Sequence, residues 1–494
     1  MAFRPSPLAA LAAAEHPARP SPRPGALTVS SAFPRAGFLY ALAWAGVLVA
    51  TLPGCGGVGD LAGLALLGFL LAEWPRQRRY ARVVLAGFTA AGLAGIALAS
   101  RRGAAPLPLF LAGWRRGAAY AAFYFALSAL RDAAETSALV RACGRQLIGQ
   151  PPGRRYAAMA AGGHVFGIIL SYGAIDLLGA MVVRAEAAAA SVVPDRARRM
   201  LMATYRGFCM MNCWSPLNVM TAVVSTAVPA APMGRLVPLA FLAAVAMGVA
   251  GWAEDRLRFR ARPEPALAAP GGWAVHLRLI ALVGLVMALA EGAGALLHLR
   301  LVTAVTLVVP LVALTWVAVQ LPARGWRRVA LLGRRARRFA ARSPAFRAEA
   351  TVLGASGFLG VGLGSAMGRL GLGGLLVGLP PMLIPLAVPP LLMATGQIGL
   401  NPIAVVAMLG AALPDPAALG VPPAALAFAA MLGWGLAVGV TPMSASAITT
   451  ARWLKVSPWQ VSTRWNAAYA AAAWLIASAA IAGVFLAARA FTAG

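Results

Sequence analysis

Gly207-Phe-Cys-Met-Met-Asn-Cys-Trp-Ser-Pro-Leu-Asn218 and Gly433-Trp-Gly-Leu-Ala-Val-Gly-Val-Thr-Pro-Met-Ser444 fit one pattern, Gly-x7-Ser/Thr-Pro-Leu/Met-Asn/Ser, and lie 226 residues apart. Each interrupts an apolar stretch. Proline lacks an N–H and its ring clashes with the preceding turn, so it breaks or kinks a helix. Backbone groups freed in this way are tolerated at membrane depth only where protein or a water-filled cavity surrounds them. The fold therefore turns on whether the surrounding apolar stretches cross a bilayer.

Composition answers that. The chain has 494 residues, 60% hydrophobic and 12% charged. Soluble domains carry roughly a quarter charged residues, so an ordinary soluble globule is excluded. Apolar runs near the length of a bilayer core recur at 36–52, 83–99, 236–252, 279–297, 301–321 and 467–487. By that length rule the expectation is an all-α polytopic membrane protein with about 10–12 transmembrane segments. Paired helix breaks in two halves of such a chain point to a transport site near the midplane.

The formal charge of +29 comes from 43 basic and 14 acidic residues, and the basic ones cluster between the apolar runs. This is the pattern of cytoplasmic loops and not a nucleic-acid footprint. Arg324 to Arg347 is the densest cluster, and Arg256, Arg258, Arg260 and Arg262 mark a second. Two crossings connect them, so both are expected on the cytoplasmic side of a bacterial inner membrane. The N-terminus has no compact apolar signal segment and is expected as a cytoplasmic tail. The four cysteines show no disulfide framework or zinc spacing. Cys209 and Cys213, at i,i+4, are read as packing rather than as a metal site.

Weaker echoes extend the duplication. Residues 135–144 resemble 349–357, Gly163-His164-Val165 resembles Gly396-Gln397-Ile398, and Leu178-Gly179-Ala180 resembles Leu409-Gly410-Ala411, in the same order. The chain divides into a tail (1–35), N-terminal transmembrane helices (36–130), a first repeat core (131–253), a linker (254–272), two more crossings (273–321), a basic loop (322–349) and a second repeat core (350–494). The Gly-rich run 354–378 and the Pro-rich run 380–390 are expected to be irregular.

At the first break Asn212, Ser215, Asn218 and Thr221 offer oxygens to a small cation or donors to an anion. At the second, Thr441, Ser444, Ser446 and Thr449 offer hydroxyls. Carbonyls before each proline are candidate Na⁺ ligands. The N-terminus of each following half-helix would favour a carboxylate or other anion. His164 and Gln397, at matching positions of the echo, are candidates for a proton relay or polar site. Asp176 is a rare intramembrane acid, and such acids are often functional. Glu135 and Glu349 are expected to pair with Arg131 and Arg347. No phosphate-binding loop, nucleophile elbow or zinc-hydrolase motif is present, so the chain is not read as an enzyme and no cofactor is expected beyond a coupling ion, Na⁺ or H⁺.

On these paired motifs, over about 131–253 and 350–470, the chain resembles the ion transporter superfamily. That group includes divalent-anion/sodium symporters and the large membrane subunits of TRAP transporters. The resemblance implies two inverted repeats, each with a re-entrant hairpin and a broken helix, whose tips meet around substrate and a coupling ion. The Ser-Asn-Thr signature of the symporters is not present as such; Ser215-Pro216-Leu217-Asn218 and Thr441-Pro442-Met443-Ser444 are its nearest analogues. The expected activity is secondary transport of a small organic anion. The alternatives are a permease subunit of a multi-component, TRAP-like uptake system and a membrane-embedded enzyme acting on a lipid-linked substrate. The expected partners are membrane lipid and the small anion, with no nucleic acid and with a homodimer among the assemblies allowed.

Overall fold

The computed structural model describes residues 34–187, 195–259, 272–321, 325–370, 378–413 and 415–493. The expected tail lies outside these residues except for Pro34 and Arg35, as does most of the expected linker.

Among the described residues the chain is helical, and the order of elements follows the apolar runs. The first four helices are α1 (Pro34–Val49), α2 (Val58–Ala72), α3 (Arg79–Ser100) and α4 (Pro106–Glu135). Next come α5 (Ala138–Ile148), α6 (Pro152–Leu170), α7 (Gly173–Ala187), α8 (Arg196–Met211), α9 (Val219–Ala227) and α10 (Met233–Arg258). The second half holds α11 (Ala274–Leu296), α12 (Leu301–Gln320), α13 (Gly325–Arg342), α14 (Arg347–Leu370), α15 (Leu383–Gln397) and α16 (Pro402–Ala412). It ends with α17 (Pro423–Val440), α18 (Ala445–Leu454) and α19 (Ala467–Ala493).

Seven helical stretches among the described residues are long and apolar enough to cross a membrane. The protein is an all-α, multi-pass membrane protein. The arms α15 and α16 have 15 and 11 residues, or about 22 and 17 Å at 1.5 Å per residue. They turn back on one another at Gly399, as α6 and α7 do at Ser171.

Two expectations from composition change. The stretch 322–349 is not a loop: from Gly325 it forms α13, an amphipathic helix. Arg327, Arg334, Arg337 and Arg338 face outward, while Arg335 donates twice to Asp132 Oδ2, at 2.9 and 3.1 Å, and Phe339 packs on Phe125. Its arginines keep it out of the bilayer core, so the spanning part of the stretch Gly325–Gly368 is α14. The Gly-rich run is also regular as far as Leu370. A methyl group added at Gly357 would meet Gly117 of α4, and one at Gly362 would meet Gly92 of α3. These glycines allow close helix crossing, as small residues do in membrane interfaces.

Candidate functional site: two helix breaks and two hairpin tips around one cavity

The shared motif folds the same way twice. α8 stops at Met211 and the chain resumes as α9 at Val219; α17 stops at Val440 and resumes as α18 at Ala445. The Leu217 N–H donates to Ser215 Oγ at 3.2 Å, and the Met443 N–H donates to Thr441 Oγ1 at the same distance. In each case the hydroxyl before the proline turns the chain. The fourth motif residue then caps the next half-helix. Asn218 accepts from the Met220 N–H at 2.9 Å, and Ser444 accepts from the Ala447 N–H at 3.1 Å. Such caps satisfy donors that have no partner within the helix.

Several carbonyls at the breaks already have side-chain partners. Gly439 O accepts from Tyr205 at 3.0 Å and from Asn466 at 2.8 Å, and Val440 O accepts from Gln397 at 2.7 Å. At the first break Phe208 O accepts from the Asn212 amide at 2.8 Å, and Ser215 O accepts from Thr221 at 2.8 Å. Of the carbonyls expected to bind Na⁺, those of Ser215, Gly439 and Val440 are thus already hydrogen-bonded to side chains.

The two breaks touch. A methyl group added at Gly435 would strike Cys213 Sγ and the Cys209 carbonyl. The thiol pair therefore marks where α8 and α17 cross, which explains why Cys213 is fully buried. Among the described residues no group of three or more His, Cys, Asp or Glu gathers into a metal-binding cluster.

The hairpins pack reciprocally. Gly207 of α8 sits on Ala160 of α6, and Gly433 of α17 sits on Pro389 of α15. Seven residues on in each arm, Gly167 meets Met211, and Gly396 meets Thr441 and approaches the Ala437 carbonyl. The return arms cross over: Gly179 of α7 packs on Trp453 of α18, and Gly410 of α16 packs on Ala227 of α9. Ala227 and Trp453 are again 226 residues apart. Each return arm thus lies on the half-helix beyond the other half's break. These contacts pair Gly167, not Gly163, with Gly396. The correspondence of His164 with Gln397 is four residues out of register, and Met393 stands opposite His164.

All four elements end at one cavity of about 300 Å³. It is lined by Ser171 and Tyr172 at one tip, Asn401 and Pro402 at the other, Asn212, Asn218 and Val219 at the first break, and Thr441, Ser444 and Ala445 at the second. Of the eight break residues expected in the site, Asn212, Asn218, Thr441 and Ser444 reach the cavity. Ser215, Thr221, Ser446 and Thr449 do not line it. Ser215, Thr221 and Ser446 are fully buried. Asn218 donates to Asn212 Oδ1 at 2.9 Å, which orients both amides.

The three other candidates lie outside the cavity. Trp214 donates its indole N–H to His164 Nε2 at 2.7 Å. Indole nitrogen is only a donor, so Nε2 holds a lone pair and the ring is neutral in this arrangement. Gln397 is committed to Val440 O. Asp176 pairs with Arg452 and accepts from Trp453 at 3.2 Å. The turn at Ser171 also separates Asp176 from His164, so the two do not share one helix.

The cavity's charged wall was missed by sequence reasoning. It comes from the unbroken helices α4 and α14, through Tyr124, Ser128, Arg131 and Glu349. Arg131 bonds Glu135 at 3.1 Å as expected, and its guanidinium also approaches Gly173 at the start of α7. Glu349 does not take Arg347, because Arg347 binds Glu73 at 2.9 Å on the far side. Asn401 was missed too, although Asn before Pro at the head of an apolar run is a helix-start signal. It caps α16 by accepting from the Ile403 N–H at 2.9 Å. Ser171 has φ of 51°, a left-handed value that is uncommon for residues other than Gly and typical of strained functional turns.

No family model matches the chain, and no curated protein matches it in sequence. Among solved structures it is similar to the crystal structure of the Alcanivorax borkumensis YdaH transporter, described as having an unusual topology. The TM-score is 0.51 at 14% identity, over 73% of this chain and 84% of that one. At that identity the likeness is one of fold, and it joins the helix lengths in identifying a polytopic membrane protein.

Proposed function

We propose that the protein is a secondary transporter that carries a small organic anion across the bacterial inner membrane together with a proton. The observation that carries this reading is the convergence of four half-helix starts on one cavity: α7 near Ser171, α9 at Val219, α16 at Pro402 and α18 at Ala445. Each helix N-terminus is equivalent to roughly half a positive charge, and Arg131 adds a full one. This positive charge at the cavity favours an anion over a metal cation. The reciprocal hairpin contacts are what two inverted repeats with re-entrant hairpins would produce. The YdaH structure belongs to a transporter, which supports transport over catalysis.

Glu349 is the carboxylate in the cavity wall, and we assign the coupling proton to it. An anion drawn to Arg131 and the helix starts is repelled by ionised Glu349 and admitted when the carboxyl is neutral. Binding of anion and proton would then be reciprocal. Uptake of labelled succinate, citrate, glutamate and benzoate into proteoliposomes, with pH and Na⁺ gradients imposed separately, tests the reading. Accumulation of one carboxylate under the pH gradient is expected. Absence of accumulation and of counterflow for all four would reject the organic-anion assignment.

A further inference from the structure

A groove on the flank of α6 has a chemistry that the transport cavity does not use. It lies between α6 and α11 and has a volume of about 470 Å³. Its walls are apolar and include Leu147, Ala158, Gly162, Phe166, Leu279 and Ile280. α11 is long and apolar enough to span a membrane and turns Leu277, Leu285 and Leu289 outward. The groove is therefore open toward lipid.

One end is basic. Arg154, in the first turn of α6, and His276, in the first turn of α11, both line the groove beside Trp273. The Arg154 side chain is exposed and makes no hydrogen bond or ion pair among the described residues. His276 Nε2 is shut off from solvent without a hydrogen-bond partner. The Trp273 and His276 rings lie 5.2 Å apart. Arg256, from the basic end of α10, donates to the Gly153 carbonyl at 3.1 Å and adds charge at the same level. Tryptophan and arginine at the ends of apolar helices mark the membrane–water interface. Basic groups there attract anionic headgroups.

We propose that this groove binds one anionic phospholipid, with an acyl chain between α6 and α11 and its phosphate held by Arg154 and His276. The charge and the apolar trough must act together: a free phosphate would use only the basic end, and a neutral lipid would leave that end unanswered. The site also bears on the hairpin. The adjoining face of α6 borders a second crevice of about 550 Å³, lined by His164 and Phe241. A lipid in the groove would lie against the arm that carries the Ser171 tip, on a face that α8 does not cover. The proposal does not depend on what the protein transports.

The test uses the full chain in phosphatidylcholine nanodiscs doped with either brominated phosphatidylglycerol or brominated phosphatidylcholine. Bromine quenches nearby indoles. The Trp273 signal is taken as the difference between the wild type and Trp273→Phe. Half-quenching by phosphatidylglycerol is expected at a mole fraction several-fold below that for phosphatidylcholine. Arg154→Ala with His276→Ala should reduce this preference to less than twofold, and Arg154→Lys should keep it. Quenching of the remaining tryptophans, unchanged across the variants, checks that they fold. Equal quenching by the two lipids, or a preference that survives in the double variant, would overturn the proposal. So would protection of Trp273 from both, which would mean that a second copy of the chain fills the groove.

Discussion

Gly435 of the second broken helix seats directly on Cys213 of the first, so close that no Cβ fits between them. The two breaks are therefore one structural unit, and their spacing is set by a residue without a side chain. Gly435→Ala should force the helices apart and destabilise the protein by about 1–3 kcal/mol, the usual cost of overpacking. Cys213→Ala removes the struck sulfur, and in combination with Gly435→Ala it should recover part of the loss. Thermal unfolding in detergent, read as a double-mutant cycle, checks this. Additive losses would mean that the backbone contact at Cys209, and not the thiol, sets the distance.

Arg206 holds the same unit from the other side. It donates to Asn466 at 2.9 Å, Glu254 at 2.8 Å and Tyr156 at 3.1 Å, and it lies over the Tyr469 ring. Asn466 in turn donates to Gly439 O beside the second break. Arg206→Met leaves Glu254 with Arg258, at 3.3 Å, as its remaining partner and strands the Asn466 and Tyr156 oxygens, a loss of roughly 1–3 kcal/mol. Arg206→Met with Glu254→Gln should lose about as much. Unfolding temperatures of the single and double variants provide the measurement, and recovery in the double would assign the effect to Glu254 instead.

How much of this was legible in the sequence follows from the range of each interaction. The breaks were legible because Ser215 and Thr441 each act on an N–H two residues away, so a short motif contains the whole device. The echo at Gly179 and Gly410 was legible because both glycines are demanded by a close contact. The echo at Gly163 was misaligned because α6 offers Gly162, Gly163 and Gly167 within six residues, and only the contact with Met211 selects the last. Arg131 and Glu349 were visible as rare charges, but charge next to charge in sequence was read as pairing. The structure sends Arg347 to Glu73, and local sequence carries no record of that distant partner.

The assignment of proton coupling separates two residues. Glu349→Gln should keep carboxylate counterflow but remove the dependence of uptake on an imposed pH gradient. His164→Gln should leave that dependence intact, because His164 faces Trp214 and not the cavity. The sign is fixed by the mechanism: lowering external pH should raise wild-type uptake, since protonation removes the charge that opposes the anion. A pH response that persists in Glu349→Gln and vanishes in His164→Gln would reverse the assignment.

Topology gives a test that needs no substrate. The arginine face of α13 is expected in the cytoplasm, and Ala336 on that helix is exposed. In a background lacking the four native cysteines, Ala336→Cys should resist an impermeant maleimide in intact cells and react after permeabilisation. Labelling in intact cells would invert the protein in the membrane.

Asn218 and Ser444 line one cavity from its two breaks, so a single anion there would meet both. Both are also N-caps, so replacing either with Ala costs about 1 kcal/mol of stability before any ligand is considered. Binding must therefore be separated from capping. Asn218→Asp keeps an acceptor for the Met220 N–H and adds negative charge at a helix start, which favours the helix. The same charge faces the cavity and opposes an anion. The expected outcome is carboxylate affinity lowered at least tenfold with an unfolding temperature near that of the wild type, the charge at the helix start offsetting the lost donation to Asn212. Ser444→Asp should behave in the same way, because Ser444 caps α18 from the opposite side of the cavity. With one shared ligand, the two substitutions should be non-additive in affinity and additive in stability. Affinity and unfolding temperature are measured on the wild type, both single variants and the double in nanodiscs, using the carboxylate that shows counterflow. Unchanged affinity in both aspartate variants would mean that the caps only heal the breaks, and the anion would then have to be held by Arg131 and the hairpin tips alone.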